Sequence, residues 1–155
     1  MKKELNIYRI TLQKLNMDKA SYFIKNRAMF GSFPSQMSVD ELENAGVRYF
    51  INLTHENETK ITPYVTKYTY ISYPITDRHT PTNYETFIYF ILKVSDIILM
   101  LPEDELLYIH CKGGHGRSGV VVSILLCHIF NLDPQDALNY TTAYHNKRAV
   151  MREKW

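Results

Sequence analysis

Between Leu106 and Phe130 the chain passes from a short apolar run, Leu106 to Ile109, through the ten residues His110-Cys111-Lys112-Gly113-Gly114-His115-Gly116-Arg117-Ser118-Gly119 into a longer, mostly apolar run, Val120 to Phe130. The short run predicts a buried strand and the longer one a buried helix. The loop joining them must therefore turn tightly. Three of the five residues between Cys111 and Arg117 are glycine, a residue that accepts the positive φ angles of such a turn and keeps side chains out of its centre. The chain is constrained to contain a strand-loop-helix unit whose loop lies at a strand end.

That loop has a chemistry. Its backbone N–H groups can converge on one anion, and the helix that follows brings a partial positive charge and unpaired donors to the same point. Phosphate and thiolate are favoured alike, so Cys111 is expected to act as a nucleophile without a separate base. Arg117 supplies a planar, permanently charged fork that can take two phosphate oxygens at once, which a lysine cannot do. Lys112, Gly113, Gly114, His115, Gly116 and Arg117 are the expected substrate-binding residues. The same residues have two other readings: a glycine-rich turn without chemistry, or a metal site built from Cys111 with His110 and His115. The metal reading lacks a second Cys/His pair at zinc spacing, so no metal and no cofactor are expected.

The segment resembles the signature of the cysteine-dependent protein tyrosine phosphatase superfamily, H-C-x5-R-[ST]-G, and His110, Cys111, Arg117, Ser118 and Gly119 match every fixed position. A rhodanese-type loop has a different spacing, and the Arg-Ser-Gly favours the phosphatase. The resemblance implies a phosphocysteine on Cys111, phosphate binding by Arg117 and the loop amides, a Ser118 hydroxyl that eases cysteine departure, and a His110 that orders the loop. It also directs attention to an upstream aspartate. Tyr70 to Ile75 alternates like a strand and runs into Thr76-Asp77-Arg78-His79-Thr80-Pro81, at a distance from Cys111 similar to that in small dual-specificity phosphatases. Asp77 is the expected general acid, with His79 beside it. Asp96 and Asp104, in a helical pattern and a turn, are expected to face solvent.

The remaining segments alternate strand and helix, which predicts an α/β fold: one compact domain over 1–155 with a central, mostly parallel twisted sheet flanked by helices. Leu5 to Leu15 is ambiguous. Ala28 to Gly31 reads as a short strand, Ser38-Val39-Asp40-Glu41 as a capping box for a helix stopping at Gly46, and Val47 to Leu53 as a buried strand. Thr54 to Thr66 reads as loop. Thr82-Asn83-Tyr84-Glu85 is a second capping box, followed by Phe87, Phe90, Ile91, Val94, Ile97 and Ile98 on one face. Asp133-Pro134 starts a last helix whose expected buried face is Ala137, Leu138, Thr141 and Tyr144. This order resembles a dual-specificity phosphatase over nearly the whole chain, including Phe30-Gly31-Ser32-Phe33-Pro34 and Ile51-Asn52-Leu53.

Composition sets the outer bounds. With 155 residues, 45% hydrophobic and 22% charged, the chain suits one globular domain. The start Met1-Lys2-Lys3-Glu4 lacks a signal peptide's apolar core, and no run is long enough to span a membrane. A cytoplasmic protein, free to enter the nucleus, is expected, with Cys111 and Cys127 unpaired and Cys127 in the core. The expected substrate is a phosphorylated protein carrying phosphotyrosine or phosphoserine/phosphothreonine. A polyanion is the alternative, either a phosphoinositide, favoured by Lys112 and His115, or an RNA 5′ phosphate end on a basic rim of Arg78, Lys147, Arg148, Arg152 and Lys154. A net charge of +2 argues against the RNA reading. A second alternative is a catalytically silent phosphoprotein-binding module, against which the intact signature speaks. Lys25-Asn26-Arg27 resembles a phosphotyrosine-loop motif, but Ala28 stands where an aromatic should follow.

Overall fold

The computed structural model describes residues 19–114 and 116–146. Leu5 to Leu15, His115, Lys147, Arg148, Arg152 and Lys154 lie outside them. The elements in chain order are β1 (Ala20–Ile24), β2 (Ala28–Gly31), α1 (Gln36–Ala45), β3 (Val47–Asn52), β4 (Thr69–Ser72), α2 (Tyr84–Met100), β5 (Leu106–His110), α3 (Gly116–Phe130) and α4 (Pro134–Asn146). The strands form one sheet in the order β1-β2-β5-β3-β4, antiparallel between β1 and β2 and parallel elsewhere. The expected α/β domain with a mostly parallel sheet is the observed one.

Side chains alternate across this sheet and so build two cores. Leu107, Ile109 and Cys111 face the layer of α2, α3 and α4 with Phe23, Phe30, Ile51 and Leu53. Leu106 and Tyr108 face the opposite side, where Val39 and Leu42 of α1 cover them with Met29 and Phe50. All five residues of β5 are buried because the strand is central and covered on both faces. Replacing Leu107, which is fully buried, with Ala would remove about 2–5 kcal/mol.

Local chemistry explains the helix ends. Ser35, not Ser38, caps α1: its hydroxyl accepts from the Ser38 amide at 3.1 Å, so the helix begins one turn earlier than the capping box suggested. Gly46, at φ 116°, closes the helix where expected. Asn83 rather than Thr82 caps α2, accepting from Thr86 N at 3.0 Å. Leu138 is exposed, a correction to the expected buried face of α4, whose inner side is Ala137, Thr141 and Tyr144. Arg27 turns inward and donates to the carbonyls of Ile98 (2.8 Å) and Leu101 (2.9 Å), satisfying groups that the end of α2 leaves open. Lys25-Asn26-Arg27 is thus a hairpin turn with a structural arginine, with Asn26 at φ 55°.

The register determines where a site can form. Gly31 and Asn52 both pair with His110, and Ser72 pairs with Asn52, so four parallel strands end in one row. The loops after β2, β3, β4 and β5 emerge together at that carboxyl edge, the usual ligand position in such sheets.

Candidate active site

Cys111 follows the last residue of β5 and is only 2% exposed. The Gly114 amide donates to its Sγ at 3.3 Å, and the Ser118 hydroxyl lies 3.5 Å from the same sulfur. Gly114 has φ 90°, and a Cβ there would stand 2.5 Å from Ser32 N and 2.6 Å from Gly31 C. Only glycine lets the loop close against the β2–α1 turn. The loop is tied to its neighbours by Phe33 N donating to Lys112 O (3.2 Å) and Leu53 N donating to His110 O (3.0 Å). From Gly116, α3 adds the buried Arg117 and Ser118 in its first turn, so the positive end of the helix begins beside the sulfur, and the guanidinium is close enough to interact electrostatically with Cys111.

Arg117 is held by a residue the sequence reasoning did not single out. Glu58, in the loop after β3, accepts from Nη1 at 2.7 Å and from Nη2 at 3.0 Å, while Nη1 also donates to Ile75 O at 2.8 Å. The two Nη atoms are thereby gripped end-on. The edge formed by Nε and the outer Nη2 hydrogen keeps its donors, and Nε is buried with no hydrogen-bond partner. A guanidinium at 4% exposure with one open bidentate edge suits an oxyanion. The arginine beside Glu58 holds that carboxyl below the usual carboxylate range. Burial lowers the Arg117 pKa, but the carboxylate of Glu58 and the neighbouring Cys111 outweigh it, so the net shift is upward.

Asp77 lies on the loop after β4, its Oδ1 3.6 Å from Arg117 Nε and its side chain 64% exposed. The carboxyl therefore stands at the open edge of the fork. Ile75 N donates to Leu53 O at 2.9 Å, which anchors the start of this loop to the residue that follows β3. His79 donates from Nδ1 to the carbonyl of Asp77 itself at 2.7 Å. His55 Nε2 lies 3.3 Å from Thr76 Oγ1 and so links the Glu58 loop to the Asp77 loop. Asp96 and Asp104 are exposed, as expected.

His110 faces the opposite way from Cys111. Its Nε2 is 2.8 Å from the Tyr64 hydroxyl, and Phe33 and Tyr108 flank the ring at 4.8 and 5.7 Å. Burial pushes the imidazole's pKa down to about 3, against a smaller opposing contact with the Cys111 backbone. Burial, reinforced by Tyr70 and Tyr108, keeps the Tyr64 phenol protonated. A neutral pair thus lies directly behind the nucleophile.

The structure brings Cys111, Arg117, Ser118 and Asp77 together, and places Lys112 at the rim with Nζ 3.4 Å from Thr59 Oγ1. Among the described residues no cluster of His, Cys, Asp or Glu is arranged to hold a metal ion. Both cysteines are free thiols, and Cys127 is only partly buried, at the margin of the core. No described helix is long and apolar enough to cross a membrane. Glu58 and Tyr64 lie in a polar loop without periodicity. The one sequence signal for Glu58 is that Arg117, at the start of an apolar helix, needs a carboxylate from elsewhere.

Comparison with known proteins agrees with this geometry. Residues 17–154 match the family described as Swiss Army Knife protein, DSP-PTPase phosphatase domain. The chain is 39% identical over 141 residues to protein 067L of Invertebrate iridescent virus 3, and 46% identical over 121 residues to protein 197R of Invertebrate iridescent virus 6; both are named tyrosine phosphatases. Those alignments cover 90% and 77% of this chain but 59% and 46% of the viral proteins, so it spans about half their length. The crystal structure of Tk-PTP in its active form superimposes with a TM-score of 0.65 at 23% identity, covering 81% of this chain and 84% of that one. PTPMT1 in complex with PI(5)P has the same fold, with a TM-score of 0.65 at 20% identity over 82% of this chain and 84% of that one.

Proposed function

From the premise that the chain belongs to the DSP-PTPase domains of the cysteine-dependent protein tyrosine phosphatase superfamily, we propose that it hydrolyses phosphate monoesters on proteins through a phosphocysteine on Cys111. The Cys111 thiolate attacks phosphorus and the bond to the leaving oxygen breaks, with Asp77 giving that oxygen its proton. Arg117 and the loop amides hold the three equatorial oxygens as charge redistributes. Water then attacks the phosphocysteine, Asp77 takes the proton, and the P–S bond breaks to release phosphate and thiolate. Ser118, 3.5 Å from Sγ, donates to the departing sulfur. His110 and Tyr64 position the loop.

The observation that carries this reading is the open Nε edge of Arg117, with Asp77 Oδ1 at 3.6 Å and a buried sulfur on the same loop. The protein substrate, with phosphotyrosine foremost, is supported by a cleft of about 320 Å³ that Asp77 and Arg117 share with Ile75, Pro81 and Val120. Its walls are largely apolar and suit an aromatic leaving group. Phosphoserine and phosphothreonine fit the same chemistry with less of that contact. A silent phosphoprotein-binding module would not need a carboxylic acid at the fork. The proposed compartment is the cytoplasm, where Cys111 stays reduced.

The test is p-nitrophenyl phosphate hydrolysis. Cys111→Ser is expected to abolish turnover. Asp77→Asn is expected to lower it about 100- to 1,000-fold. Full activity in Cys111→Ser would end the proposal.

A further inference from the structure

Beside the cysteine loop lies a larger cavity, of about 760 Å³, that shares no lining residue with the Asp77 cleft and is walled by Lys112 and Gly113 of the loop, by Lys60 and Pro63 of the Glu58 loop, and by Lys19 before β1. Three ammonium groups border it, and among the described residues no carboxylate does. Phe33, Pro34 and Ile61 give the same cavity apolar wall. The loop carrying Lys60 is fixed at both ends. Gln36 exchanges two hydrogen bonds with Val65, both at 2.9 Å, and Glu43 accepts from Thr66 and Lys67 at 2.5 and 2.9 Å. At the other end Glu58 binds Arg117. Lys60 itself sits at φ 64°, a conformation a long side chain adopts only at some cost.

We infer that this lysine-lined cavity is a second anion subsite, and that it selects phosphotyrosyl segments carrying another acidic side chain close to the target residue. The inference rests on the proposed function and adds the sequence context of the substrate. Lys112 directly follows Cys111 and lines the cavity with Gly113, so the cavity adjoins the loop that takes the target phosphate. The shared ligand chemistry is a fixed negative charge, supplied by a second phosphorylated residue or by Asp or Glu. A peptide also uses the apolar wall of Phe33, Pro34 and Ile61, whereas an inositol polyphosphate offers little apolar surface to it. Lysines, as strongly hydrated point charges, discriminate charge more than geometry, so either anion enters and the doubly charged phosphate binds more strongly.

The experiment compares kcat/KM on three matched phosphotyrosyl peptides: one with neutral neighbours, one with flanking glutamates and one with a neighbouring phosphothreonine. p-Nitrophenyl phosphate, which carries no second anion, reports the basal reaction. Lys19→Gln with Lys60→Gly removes two charges, and glycine accepts the positive φ at position 60. Wild type is expected to prefer the acidic peptides by about tenfold, the phosphothreonine peptide most, with the preference shrinking as salt rises. The double variant is expected to retain p-nitrophenyl phosphate turnover and lose most of that preference. Wild-type indifference to flanking charge, or a preference unchanged in the variant, overturns the subsite while leaving the phosphatase reading intact. Faster hydrolysis of a phosphoinositide or of 5′-triphosphate RNA than of any peptide overturns the peptide assignment. Absence of p-nitrophenyl phosphate turnover refutes the proposed function beneath it.

Discussion

Glu58→Gln isolates the contact that sets the phosphate-binding edge of Arg117. In the wild type Oε2 accepts from Arg117 Nη1 at 2.7 Å and from His55 N at 2.8 Å, while Oε1 accepts from Nη2 at 3.0 Å. Glutamine keeps one acceptor, and its amide nitrogen would face a guanidinium N–H. Whichever way the amide turns, one of the two guanidinium contacts is lost. A hydrogen bond to a charged partner contributes about 1.5–3 kcal/mol. The Glu58 side chain is 16% exposed, so solvent recovers part of this; a loss of about 2 kcal/mol is expected, or about 30-fold in the population of the productive fork. Turnover of p-nitrophenyl phosphate and affinity for vanadate should both fall by roughly that factor. Urea unfolding of Glu58→Gln, Arg117→Ala and the double variant should give a coupling of about 2 kcal/mol. The carboxyl is held below the usual carboxylate range, so the effect should persist down to mildly acidic pH. Unchanged vanadate affinity in Glu58→Gln, or additive losses in the cycle, would refute the clamp.

Two further predictions follow from the same geometry. Gly114→Ala places a methyl group 2.5 Å from Ser32 N at φ 90°, so the loop must move; phosphate binding measured by calorimetry should disappear while the far-ultraviolet circular dichroism is retained. His110 should make the protein acid-sensitive. Its folded pKa lies near 3, below the unfolded value near 6.5, so its contribution is complete above about pH 6.5 and is lost as pH falls, at about 1.4 kcal/mol per unit. Urea unfolding at about pH 6.5 and about pH 4.5 should differ by roughly 2–3 kcal/mol in the wild type, and by clearly less in His110→Gln; equal slopes would refute the neutral-histidine account.

What could be read from the sequence follows how local each determinant is. Cys111, Arg117, Ser118 and His110 share one strand-loop-helix unit, so their spacing alone specifies that they meet. Asp77 needed the resemblance as well, because an aspartate after a strand is also an ordinary turn residue. Glu58 lies 59 positions from Arg117 in a polar loop, where nothing periodic marks a contact. No sequence pattern marks the strand Ala20–Ile24. It is an edge strand paired through a hairpin whose signal was Asn26 in a positive-φ turn, within a tripeptide that resembles something else. The cap at Ser35 in place of Ser38 shows a related limit: two serines three apart each offer a plausible start, and tertiary packing selects one.

The central claim is that phosphoryl transfer passes through the Cys111 sulfur. Rapid mixing of Asp77→Asn with p-nitrophenyl phosphate, acid quenching, and intact and peptide mass spectrometry would test it directly, because slowed hydrolysis lets the intermediate accumulate. The account predicts a mass gain of one phosphoryl group on the peptide containing Cys111, absent in Cys111→Ser. Turnover with the phosphoryl group on another residue, or label in the Cys111→Ser protein, would contradict it.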